Sequence, residues 1–214
     1  MQGSKPGFFI TVEGGDGSGK STQLSNICAY FDAHDIPYIF TREPGGTQIG
    51  EKIRHIILDN GNSEMCPMAE ALLYAASRAQ HVEQKIRPAL AEGISVLCDR
   101  FVDSSIAYQG YGRELGEPVK VINDYAIAGC IPDLTVFLDI TPSKAMDRIG
   151  KRTLDRLETE GRGFHDRVYD GYVALIEEAR SKGSDRFALV DASLSEEDVK
   201  MSIYAYLDRI FAGE

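Results

Sequence analysis

Residues Gly14 to Ser21 read Gly-Gly-Asp-Gly-Ser-Gly-Lys-Ser, a full match to the spacing G-x-x-x-x-G-K-[S/T]. Gly14, Gly15, Gly17 and Gly19, with Asp16 and Ser18 between them, let backbone N–H groups converge without side-chain clashes and form a nest for phosphate oxygens. Lys20 is placed to reach β and γ phosphates, the Ser21 hydroxyl to ligate Mg2+, and Thr22 to carry the loop into a helix whose dipole also favours anions. This loop alone serves kinases, ATPases and GTPase switches equally. No Asn-Lys-x-Asp tetrapeptide is present, which disfavours a guanine-reading GTPase.

Three further groups could serve a second substrate. Arg42 follows one apolar run, in Thr41-Arg42-Glu43-Pro44-Gly45-Gly46-Thr47, and Asp99-Arg100 closes another. Ligands of open α/β sheets sit at the carboxyl ends of strands, so Arg42 and Arg100 could clamp a phosphate while Asp99 organises the water shell of Mg2+. The plainer alternative is a set of strand-end charges paired with one another. Tyr74 and Arg78, four apart on a helix, share a face that could stack on and hydrogen-bond a base; the same pair also suits an ordinary half-buried amphipathic face. Tyr108-Gln109-Gly110-Tyr111-Gly112 reads equally as a turn rich in aromatics.

These residues need elements to hold them. Phe8 to Glu13 is a β-branched and aromatic run that enters the glycine loop, and Leu24, Ile27, Cys28 and Phe31 then recur at helical spacing. Pro37 to Thr41 predicts a second strand, and Ile49, Ile53, Ile56 and Ile57 a second helix before Asn60-Gly61-Asn62. A helical pattern covers 67–92, with Pro67 at its start, Gly93 past its end and Pro88 expected to kink or loosen the last turn. Ser95 to Asp99, Leu134 to Ile140 and Phe187 to Val190 supply three more strands. Strands alternating with helices predict a three-layer α/β fold of the P-loop NTPase type, a five-stranded parallel sheet in a single domain over 1–214. Lys151 to Gly163, the most charged and least apolar stretch, is expected to be a flap inserted between two helices.

Composition narrows the partners. The 214 residues carry 23 Lys and Arg against 33 Asp and Glu, a formal charge of −10, which argues against broad binding to nucleic acid or an anionic membrane surface. Apolar stretches fall short of a bilayer span and no secretion or anchoring signal is visible. Cys28, Cys66, Cys98 and Cys130 are widely spread, without zinc-ligand spacing, and are expected to be reduced thiols in a cytoplasmic protein. The four histidines are scattered as well.

The stretch from Leu97 to Gln109, Leu-Cys-Asp-Arg-Phe-Val-Asp-Ser-Ser-Ile-Ala-Tyr-Gln, resembles the signature of thymidylate kinases, bacterial type. Glu13 to Thr22, Thr41 to Thr47, Tyr74 to His81 and Phe164 to Val168 are similar to that family in the same order, so the resemblance runs from Phe8 to about Ala192. It implies transfer of the ATP γ-phosphoryl group to dTMP. It further implies that Arg42 and Arg100 hold the dTMP phosphate, that Tyr74 stacks on thymine and Arg78 donates to its O4, and that Ser105 in the Ser104-Ser105 pair reads N3 with Gln109. Tyr108 would crowd the 2′ position and Asp16 contact the 3′-hydroxyl. Some family members carry a catalytic Arg in the phosphate loop; this chain has Ser18 there. Lys151-Arg152-Thr153-Leu154-Asp155-Arg156 resembles instead the lid whose arginine folds over the γ-phosphate, with Arg156 the first choice and Arg152 the second. Homodimers are common in the family.

Overall fold

A computed structural model describes residues 7–148 and 155–212. Strands β1 (Phe9–Glu13), β2 (Tyr38–Arg42), β3 (Ser95–Asp99), β4 (Leu134–Asp139) and β5 (Phe187–Asp191) form one parallel sheet in the order β2-β3-β1-β4-β5. Each starts and ends within one residue of the run that predicts it. All of β1, and all but the last residue of β3 and β4, are buried, which is why they read as continuous apolar runs rather than alternating ones.

Helices cover both faces. On one, α1 (Lys20–Ala33) and α9 (Glu196–Ala212) seal Leu24, Ile27, Phe31, Ile203 and Leu207 against Ile10, Val12, Leu97 and Val136. On the other, Phe9, Val96 and Cys98 pack with Phe101, Val82 and Ile86, while Phe137 meets Phe164, Val168 and Tyr172 of α8 (Arg162–Ser181). The remaining helices are α2 (Gln48–Leu58), α3 (Pro67–His81), α4 (Arg87–Ala91), α5 (Val102–Ser105), α6 (Glu117–Ile127) and α7 (Pro142–Met146). None among the described residues is long and apolar enough to cross a membrane.

The pattern over 67–92 is three pieces rather than one helix. Between α3 and α4 lies a π-helical turn, Val82–Ile86, closed by the Arg87 N–H on the Val82 carbonyl. In a regular helix the Pro88 ring would press on the carbonyl four residues back, and the wider turn relieves that contact one turn before the expected kink. A second π-helical segment, Ile106–Gly112, occupies the stretch that reads as an aromatic turn. Of the predicted flap, Lys151–Leu154 lies outside the described residues, and α8 already begins at Arg162.

Two local features prepare the rim where the strands end. Gly19, at φ 90, precedes α1 and carries no side chain that could cap the first N–H groups of that helix. Gly14 lies at φ 149, and a Cβ there would stand 2.8 Å from Ser18 Oγ and 3.2 Å from the Leu138 carbonyl, so the loop can turn only on glycine.

Candidate active site

Two clefts open along the carboxyl ends of the strands. The first, about 550 Å3, has apolar walls, with Tyr74, Tyr108, Leu58 and Leu157 around the polar tips of Arg78, Ser104, Ser105 and Gln109. The second, about 1630 Å3, follows the phosphate loop from Asp16 through Thr22 and takes in Asp99 and Arg148. Asp16, Arg54, Arg100, Asp155 and Glu158 line both, so the clefts meet at this cluster. A small aromatic slot joined to a glycine-rich anion nest is suited to two phosphorylated ligands end to end.

Arg100 stands at the junction on a strained corner. Its φ is 66, the left-handed region that costs a non-glycine residue roughly 1–2 kcal/mol. The corner is held from both sides: the Arg100 N–H donates to the Val12 carbonyl (3.0 Å) and the next N–H, of Phe101, to Glu13 Oε1 (2.7 Å). Glu13 Oε2 also accepts from the hydroxyls of Ser104 (2.5 Å) and Tyr172 (2.8 Å). Burial, and then the nearby Asp103 carboxylate, push the Glu13 pKa up to about 7. From this corner the Arg100 guanidinium pairs with Asp16 (3.0 Å) and lies 5.1 Å from the centre of the Tyr108 ring.

Arg78 is only 1% exposed, and both Tyr74 and Arg78 line the first cleft. Its Nε donates to Glu43 Oε2 (2.8 Å), Nη1 to Ser105 Oγ (2.8 Å) and to Asn123 Oδ1, and Nη2 to the Phe101 carbonyl (3.0 Å). Among the described residues, four of its five guanidinium N–H groups find these partners and one on Nη2 does not. Glu43 is fixed in turn by His81 Nδ1 (2.9 Å), whose Nε2 meets the Thr41 hydroxyl (2.8 Å).

In the second cleft Lys20 Nζ donates to the carbonyls of Gly14 (2.9 Å) and Gly15 (3.1 Å). Burial, then the charge of Arg100, lower its pKa to about 8. The Asp99 Oδ1 atom is buried without a hydrogen-bond partner among the described residues, and Ser21 lines the same cleft. An orphaned carboxylate oxygen and a hydroxyl lining one cleft are hard donors of the kind that fit Mg2+, which takes one or two carboxylates and completes its shell with phosphate and water. No group of three or more His, Cys, Asp or Glu among the described residues could hold a metal ion.

Comparison with known proteins bears directly on what these two clefts accept. The thymidylate kinase family model matches residues 12–203, which includes both clefts. The chain belongs to the thymidylate kinase family. It is 50% identical over 208 residues to the thymidylate kinase of Lactobacillus helveticus (strain DPC 4571), covering 95% of this chain and 96% of that one. It is 51% identical over 186 residues to that of Thermoanaerobacter sp. (strain X514), 86% and 89% covered, and 45% identical over 210 residues to that of Exiguobacterium sp. (strain ATCC BAA-1283 / AT1b), 97% of each covered.

Within this thymidylate kinase framework two of the arginines singled out by sequence stand apart from the clefts. The Arg42 guanidinium, 48% exposed, is turned to Glu51 (2.9 Å) and lines neither cleft. Arg54 of α2 lines both clefts, with Nη1 donating to the Pro44 carbonyl (2.9 Å). Arg156 is not directed over the phosphate loop. It is buried, with Nε on the Ile57 carbonyl (3.0 Å) and Nη2 on Glu70 Oε2. Arg152 lies outside the described residues. Sequence reasoning also passed over Glu13, Glu43, Glu70 and Asn123. Glu13 and Glu43 sit inside segments that were noticed for other residues, but nothing local marks Glu70 or Asn123.

Proposed function

We propose that the protein transfers the γ-phosphoryl group of ATP to dTMP, giving dTDP and ADP, with ATP in the phosphate-loop cleft and dTMP in the aromatic one. The single observation carrying this reading is that Arg100 and Asp16 line both clefts, so the transferring group would lie between a donor and an acceptor brought together by the same side chains. We assign the loop Gly14–Thr22 to the ATP phosphates, with Lys20 on the β and γ groups, and Arg100 and Arg54 to the dTMP phosphate. Tyr74 stacks on the base, Arg78, Ser105 and Gln109 take its edge, Tyr108 and Ser104 shape the sugar site, and Asp16 takes the 3′-hydroxyl. Ser21 and Asp99 would hold Mg2+, which supplies charge neutralisation at the phosphates. An oxygen of the dTMP phosphate is itself the nucleophile, so the protein's contribution is positioning and electrostatic stabilisation with no covalent intermediate. Because Arg156 is committed to Glu70, the closing lid arginine in this reading is Arg152.

An ADP-release assay with Mg2+ and ATP over dTMP, dUMP, UMP, dCMP, AMP, GMP and thymidine tests this. Turnover strongest on dTMP and weaker on dUMP is the expected outcome. Best activity on thymidine would remove the phosphate site from Arg100 and Arg54, and ATP binding with no acceptor-dependent ADP would make the protein a nucleotide-binding regulator.

We also place the protein in the cytoplasm, in keeping with four free cysteines, and as a homodimer. Leu72 on α3 and Val121 and Tyr125 on α6 expose large apolar side chains on two helices that pack together. Sedimentation equilibrium is expected to give twice the chain mass, and a value of one chain mass at micromolar concentration would count against the dimer.

A further inference from the structure

The Gln109 side chain is 1% exposed and lines the base cleft, yet only half of its amide is satisfied. Its Nε2 donates to Glu70 Oε1 (2.9 Å), while Oε1 is buried without a hydrogen-bond partner among the described residues. The two ends of an amide have the same shape, so which end faces a ligand is decided by the partner of the other end. Here that partner is the fully buried Glu70 of α3, whose carboxylate also receives Arg113 Nη2 (3.1 Å) and Arg156 Nη2. A carboxylate between two guanidiniums accepts and does not donate. The amide is therefore turned with its NH2 to Glu70, and its oxygen is the atom left for the cleft. Reversing it would set Oε1 against a carboxylate and leave the NH2 facing a base.

We propose that Glu70 is a positioning residue that sets the base preference of the cleft by holding Gln109 so that it presents a hydrogen-bond acceptor. Beside the remaining N–H of Arg78, this gives a donor next to an acceptor, the complement of a carbonyl adjacent to a ring N–H. Thymine and uracil carry that pair; cytosine carries an amino group next to an unprotonated ring nitrogen and opposes it at both positions. The same carboxylate is gripped by Arg156, and Arg113 also pairs with Glu160, so the anchored part of the flap and the base edge share one anion. The inference rests on the base occupying this cleft, as proposed above.

The test is the ratio of kcat/KM for dTMP to that for dCMP in the full-length protein. In Glu70→Gln the neighbour can accept or donate, both amide orientations become available, and the ratio is expected to fall by about tenfold or more, through KM for dTMP more than through kcat. Glu70→Asp keeps the charge between Arg113 and Arg156 but is too short to reach Gln109, and it is expected to lower the ratio even if Glu70→Gln does not fold. Gln109→Met removes the amide while leaving the ion pairs, and adding it to either Glu70 variant should lower the ratio no further. Equal losses on dTMP and dCMP in the Glu70 variants, or an additive double variant, would overturn the proposal and leave Glu70 a purely structural anchor. A wild-type protein without dTMP turnover would instead overturn the functional reading on which it rests.

Discussion

Replacing Lys20 with alanine is expected to lower kcat by about a thousandfold while the protein still folds and still binds dTMP. In the transition state of phosphoryl transfer, negative charge spreads over the transferring oxygens, and removing a preorganised cation from a site of this kind costs roughly 3–4 kcal/mol. Lys20 lies in the phosphate-loop cleft, with Nζ donating to the Gly14 and Gly15 carbonyls, and it does not line the aromatic cleft. Its loss should therefore leave KM for dTMP close to the wild-type value. The same residue sets a pH dependence. Burial first, then Arg100, lower its pKa to about 8, and the charged form is the one that attracts phosphate. Because kcat/KM reports the free enzyme, its value for ATP should decline as pH rises through about 8, rather than holding until the range of an ordinary lysine. Steady-state kinetics at saturating and limiting ATP, with a thermal melt as control, read both effects. A Lys20→Ala enzyme within tenfold of the wild-type kcat would remove Lys20 from the transfer step, and a flat kcat/KM for ATP up to pH 10 would rule out the lowered pKa.

What the sequence disclosed about the fold was whatever depends on a window of a dozen residues. The five strands were legible because burial on both faces demands unbroken apolar runs such as Phe9 to Val12, and the loop after β1 because its glycines are required in place. The strand order was not legible, since no local pattern states that Val12 lies beside Asp99 on one side and Val136 on the other. Nor were the two π-helical turns. Val82–Ile86 keeps a helical apolar spacing and differs by one hydrogen-bond step, while Ile106–Gly112 contains two glycines that suit a turn equally well.

The site divided along the same line. The phosphate-loop residues from Asp16 to Thr22 and the Tyr74–Arg78 pair were visible as spacings, and they line the clefts. For the arginines outside such spacings, position alone did not state their partners. Arg42 has the strand-end place that favours a ligand contact, but Glu51, one helical turn into α2, draws it outward, whereas Arg54 reaches the junction from the same helix. Arg156 lies in the flap, yet its partner Glu70 is 86 residues away in sequence, on α3. Glu13, Glu43 and Glu70 share one reason for having gone unseen. A single carboxylate has no periodic signal, and each acquires its meaning only when the fold delivers donors from distant elements, as Ser104 and Tyr172 are delivered to Glu13.

Arg100→Ala should be as damaging as the loss of Lys20, but on the acceptor side, and Arg100 offers a way to separate catalysis from stability. The side chain bridges the two clefts, pairs with Asp16 and lies over Tyr108, so its removal takes a cation from the place where donor and acceptor phosphates would meet. We expect kcat/KM for dTMP to fall by about a thousandfold, an effect of the size seen when a transition-state arginine is lost. Arg100→Lys should restore little, because an ammonium cannot reproduce the planar fork that meets two acceptors at once. Stability follows a different rule, since the backbone at this corner sits at φ 66 whichever side chain it carries. Alanine keeps the strain, whereas glycine adopts that φ without it, so Arg100→Gly should be more stable than Arg100→Ala by about 1 kcal/mol while being equally inactive. Denaturant unfolding of the two variants measures that difference. If Arg100→Gly unfolds before Arg100→Ala, the corner is not held under strain by the bonds from Val12 and Glu13. If Arg100→Ala keeps kcat/KM for dTMP within tenfold of wild type, the transferring phosphates do not meet at Arg100, and the junction of the clefts is not where the reaction occurs.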